Sequence, residues 1–106
     1  MIFTPHVLAE VRLLKTTEAG REQPTPPDFF GCSVGTGGEY FEMRMDLRGC
    51  GGLSPGSTVQ VPIQFLRPEF ILPWLGVGAV FSLREIGTGL VIGSGKVLEF
   101  NESSAA

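Results

Sequence analysis

The stretch GTGLVIGSGK, residues 87–96, carries four glycines and ends in Gly-Lys, the residue types of a phosphate cradle. A P-loop requires Gly, four residues, then Gly-Lys-Ser/Thr, so that backbone N–H groups surround the phosphate and a hydroxyl reaches the metal. Gly95-Lys96 would need glycine at position 90, which is Leu90, and the residue after Lys96 is Val97. The dinucleotide pattern G-x-G-x-x-G fails too, because three residues rather than two separate Gly89 from Gly93. Both motifs also need a strand before and a helix after, and KVLEFNESSAA leaves no room for a packed helix. The stretch therefore reads as a glycine-rich β-hairpin, with no nucleotide site.

The remaining reactive side chains are sparse. His6 is the only histidine, and no nucleophile and orienting acid accompany it at a recognisable spacing, so it reads as a surface or strand-edge residue. No His/Cys cluster has metal-ligand spacing, and no cofactor is expected. Cys32 and Cys50 lack C-x-x-C spacing and read as two reduced thiols. Glu39 and Glu42 fall on or near an outward strand face and read as solvating charge, as do Arg21, Arg48 and Arg84 taken singly. No catalytic residue stands out, and a non-enzyme is expected. Trp74 lies in FILPWLG, a loop with Phe70, Ile71, Leu72 and Leu75. It reads as a plug for one end of the fold or, with Phe70, as an apolar patch for a protein partner, because aromatics are enriched in interface hot spots.

The elements that must carry these residues are strands. The chain has 106 residues, 42% hydrophobic and 18% charged, with fifteen Gly and eight Pro, which fits one small turn-rich domain able to bury a core. A net charge of −3 argues against non-specific nucleic-acid binding. The start MIFTPHVLAE lacks a signal peptide's basic and apolar regions, and FILPWLGVGAVFSL is too short to span a bilayer, so a cytoplasmic protein is expected. Tyr40 to Arg48 alternates strictly, with Phe41, Met43, Met45 and Leu47 on one face. Ser57 to Leu66 places Val59, Val61, Ile63 and Phe65 inward, with Pro62 requiring an edge or bulge. Val7 to Leu14, Gly78 to Ile86 and Leu90 to Phe100 read as strands, with a shorter one at Asp28 to Val34. Gly93 and Gly95 are placed on the same face as Val91 and Val97, suiting a barrel bend or a close backbone approach. LSPGS is a tight turn, residues 16–28 form a long polar loop, and residues 101–106 form a frayed tail. Six strands without a convincing helix predict an all-β domain over residues 1–100, a six-stranded antiparallel, Greek-key-like closed barrel.

The order of these features resembles the C-terminal β-barrel, the third domain, of translation elongation factor Tu. The motifs are Pro5-His6 with LAEVRLL, then EAGR before a Pro and the Phe29-Phe30 pair, then LSPGS, then VPIQFLRP ending at Pro68, and last FSLREIGTGLVIGSGKVL. Nothing in these residues matches the family's GTPase domain or second barrel. The family's Y-R-P-Q-F segment is replaced by GCSVGTGGEYF, and the turn after Arg84-Glu85 is two residues longer, without its usual basic residue. In the family this barrel contacts the T-stem of aminoacyl-tRNA and protein partners. The resemblance implies contacts at Arg21, Arg84, Glu85, Gly87 and Thr88. The expected function is a non-catalytic, translation-associated module that binds a protein or a structured RNA such as tRNA. The alternative is a regulatory protein–protein module that reuses the barrel, and a small enzyme with a barrel-mouth carboxylate ranks third.

Overall fold

The computed structural model describes residues 3–15, 24–36 and 38–101. Six strands form the fold: β1 (Val7–Leu13), β2 (Phe29–Thr36), β3 (Glu39–Asp46), β4 (Thr58–Phe65), β5 (Val80–Arg84) and β6 (Val91–Phe100). They close into a barrel in the order β1-β4-β3-β2-β5-β6, and β6 returns to pair with β1. Every pairing is antiparallel. Strands β2, β3 and β4 run as consecutive neighbours while β1 docks beside β4, which is a Greek-key arrangement. Closure leaves no long free edge to pair with another chain.

Period-two alternation decides which residues fill the barrel. Val7, Ala9, Val11 and Leu13 of β1, Met43 and Met45 of β3, and Val61, Ile63 and Phe65 of β4 are all buried, as their spacing predicts. Cys32 and Val34 of β2 and Phe81 and Leu83 of β5 complete the lining. Leu47 and Leu53 extend the core beyond strand ends. A hydroxyl ties down the loop before β2: the Leu53 N–H donates to Thr25 Oγ1 at 2.8 Å, and the Thr25 N–H donates to Leu53 O at 2.9 Å. Cys32 is buried and Cys50 is exposed, and neither is in a disulfide.

Strand β6 departs from the expected alternation. Leu83 faces Gly93, but Arg84 faces Val91, so Ile92 is an extra residue in a β-bulge. The bulge turns Val91 outward, 40% exposed, and puts Ile92 inside, so Val91 does not share a face with Gly93, Gly95 and Val97 as the alternation implies. A second irregularity falls where Leu8 faces Glu99 and Ala9 faces Val97. These bulges let one ten-residue strand coil around two partners. The close backbone approach expected at the glycines is present: a Cβ on Gly93 would collide with the Arg12 carbonyl oxygen, and one on Gly95 with the Phe81 ring. Pro62 shows no register slip against β1, pairing with Leu8. The β3–β4 ladder runs only from Met43–Phe65 to Met45–Ile63, so Pro62 sits at a local edge.

One segment is helical where a loop is expected. Between β4 and β5, α1 (Pro68–Ile71) is followed by a 3-10 turn (Leu72–Trp74). Pro68 opens α1 in the first-turn position, where its missing N–H costs nothing.

Candidate functional site

Two regions project chemistry outward from this barrel. The first is the β5–β6 hairpin, where four of the five residues implied by the family resemblance lie; the fifth, Arg21, falls outside the described residues. Gly87 and Gly89 have φ of 96° and 72°, a left-handed geometry that side chains resist, so glycine at both is required by the turn itself. The Glu85 N–H donates to Leu90 O, and the Gly89 N–H donates back to Glu85 O, each at 2.9 Å. The Thr88 hydroxyl donates to Glu85 Oε1 at 3.1 Å and accepts from the Leu90 N–H at 3.3 Å. Glu85 and Thr88 thus satisfy each other.

Arg84 is equally engaged. Its Nη1 donates to Gly89 O at 3.1 Å, its Nε approaches Ser82 Oγ at 3.4 Å, and its guanidinium lies 4.9 Å from the Tyr40 ring centroid, a cation–π distance. It reaches Tyr40 on β3 by crossing over Gly35 of β2. A Cβ on Gly35 would clash with Ser82 Oγ and lie 3.2 Å from Arg84 Nε and 3.4 Å from the Tyr40 ring. Gly35 and Tyr40 are therefore positioning residues for Arg84. Sequence reasoning missed both, because nothing in GCSVGTGGEYF says which strand lies beside β2. Arg48 is likewise committed: it bonds Asp46 through Nε and Nη2 at 3.0 and 2.9 Å and lies 4.8 Å from the Phe29 ring centroid. This partnership holds the Asp46 carboxyl below its ordinary value.

The second region is the helical segment between β4 and β5. Ile71 and Leu75 are 0% and 6% exposed and close the barrel end, while Trp74 is 75% and Phe70 57% exposed. The plug expected of Trp74 is made by Ile71 and Leu75 instead. The short α1 aims Ile71 inward, and the 3-10 turn then carries Trp74 away from the core. Leu66, Val77 and Val80 around it in sequence are exposed as well.

Beside this segment lies a cleft of about 490 Å³ lined by His6, Pro68, Glu69, Leu72, Pro73, Phe100 and Asn101. His6 is a structural keystone of its wall. The Phe65 N–H donates to His6 Nδ1 at 3.0 Å, and the two rings stack with centroids 6.1 Å apart. The His6 N–H donates to Ile63 O, and its carbonyl accepts from Asn101 N–H. Partial burial lowers the imidazole pKa and favours the neutral form. With Nδ1 accepting, the ring proton belongs on Nε2.

Among the described residues no group of three His, Cys, Asp or Glu side chains is placed to hold a metal, and no helix is long and apolar enough to cross a membrane. No family model matches the chain, and no curated protein matches it.

Proposed function

We propose that the chain is a non-catalytic binding module that docks a protein partner through the helical segment at Phe70 and Trp74. The observation that carries this reading is the outward Trp74 on a segment whose neighbours Ile71 and Leu75 are buried. An exposed indole and phenyl held by an anchored turn offer apolar area with little side-chain entropy to lose, which is what interface anchors need. A net charge of −3 fits a protein partner better than a polyphosphate one.

The resemblance to the elongation factor Tu barrel supports a second reading, a structured RNA such as tRNA bound at the hairpin from Arg84 to Thr88 in a translation setting. Arg84, over the Tyr40 ring, is the observation that favours it, since a guanidinium fixed over an aromatic ring can meet phosphate or stack on a base.

Affinity capture from a cytosolic extract, with and without ribonuclease, separates the two. Protein capture that survives ribonuclease and high salt but is lost in Trp74→Ala supports docking. Capture that is lost on ribonuclease treatment and in Arg84→Ala, with Trp74→Ala unaffected, overturns it in favour of RNA.

A further inference from the structure

Two hydrogen bonds hold the point where the docking segment leaves the barrel: the Leu66 N–H donates to Glu42 O of β3 at 3.1 Å, and the Phe65 N–H bonds the chain's only histidine. Phe65 is the last residue of β4, and the chain leaves the sheet through Leu66 and Arg67 to begin α1 at Pro68. The Phe65 N–H has His6 Nδ1 as its acceptor. His6 is itself fixed on both flanks, by Ile63 O of β4 and by the Asn101 N–H after β6. The imidazole is therefore the titratable one of the two acceptors that hold the point from which the segment carrying Phe70 and Trp74 departs.

We infer that His6 is a pH-sensitive latch for this segment: the neutral ring holds it in docking geometry, and a protonated ring releases it. The inference rests on the docking reading. The chemistry is a donor–acceptor reversal. Neutral imidazole offers the Nδ1 lone pair to Phe65, whereas imidazolium carries N–H at both nitrogens and would set one donor against another. A buried amide without its acceptor is unstable, so the end of β4 must shift when the ring charges. Among the described residues, Glu69 lines the cleft with His6, and Arg67 lies beside Glu69 on the α1 side. Glu69 lies 4.0 Å from Arg67 Nη1, in an exposed pair. Glu99 lines the adjoining cleft with Phe100 and Asn101. The β4 residues Ile63 to Phe65 bring no charge to the ring.

Amide hydrogen exchange of the ¹⁵N-labelled protein, followed by NMR from pH 7.5 to 5 and corrected for intrinsic rates, tests this directly. Protection at Phe65, Leu72 and Leu75 is expected to fall roughly tenfold through the imidazole titration, while Val11 and Gly95 in the barrel wall stay protected. His6→Asn places an amide oxygen near the Nδ1 position without a titrating group, and the same amides are expected to show no step. Flat protection in the wild type, or an equal fall in His6→Asn, overturns the latch. The imidazole ¹⁵N shifts of the wild type provide a check independent of any variant: a proton on Nδ1 at pH 7.5 also overturns it. No partner enters these measurements, so their outcome is separate from that of the capture experiment.

Discussion

The β5–β6 hairpin and the α1 segment are both exposed, and they spend their side chains in opposite ways. In the hairpin the polar groups are turned on one another: Thr88 on Glu85, Arg84 on Gly89 and Tyr40, with glycine where the turn needs positive φ. In the α1 segment two apolar side chains are buried to anchor it, and two larger ones are left in water. A residue pattern that looks functional can be consumed by local structure, as at Glu85 and Thr88. An apolar run that looks like core can be split by one helical turn into an anchor and a projecting surface.

The sharpest way to break this contrast is to attack the anchor. Ile71→Ala removes a fully buried side chain and is expected to cost about 2–5 kcal/mol in denaturant unfolding. A cost below about 1 kcal/mol would mean that the segment is not anchored. Trp74→Ala is expected to change stability by no more than about 0.5 kcal/mol, yet to weaken partner binding by about 2 kcal/mol, roughly thirtyfold. An equal loss of stability and binding would return Trp74 to the role of a plug.

Gly93→Ala probes the barrel wall that supports the hairpin. Its methyl meets the Arg12 carbonyl, which cannot move without opening the β1–β6 pairing, and a loss of about 1–3 kcal/mol is expected in the same unfolding assay. Within the hairpin, Thr88→Ala deletes one exposed hydroxyl bridge and is expected to cost about 0.5–1 kcal/mol by thermal unfolding. A much larger cost would show that the turn is not self-sufficient.

The smallest effect concerns pH. His6 has a folded pKa below its unfolded one, so between the two values the unfolded chain binds more protons. Stability is therefore complete above the ordinary imidazole value and declines as pH falls through it toward the folded pKa. His6→Asn is expected to flatten that part of the curve. Any loss shared by the two proteins at lower pH belongs to carboxylates such as Asp46, whose lowered pKa makes its contribution present at neutral pH and lost on acidification.

Much of the barrel was legible because alternation is a direct record of a half-buried strand. Val7 to Leu13 and Met43 to Leu47 are buried at the residues their spacing selects. Val91 was misplaced because a bulge is a property of a strand pair: Ile92 becomes an extra residue only against Leu83 and Arg84. Only the resemblance points to Arg84, Glu85, Gly87 and Thr88, and their internal bonding exists only with the turn closed. Gly35 and Tyr40 had no signal, since their role depends on β5 lying across β2.

By itself the sequence determined the fold class, most of the inward faces and the turns, because hydrophobic period and the φ demands of glycine and proline act over a few residues. Tertiary structure decided the order of strands around the barrel, the bulges in β6, the outward course of Trp74 and the bond between His6 and Phe65, which lie 59 positions apart. These depend on which distant backbone meets which. Local propensity carries no record of that choice; it is made when the barrel closes and each buried N–H must find an acceptor.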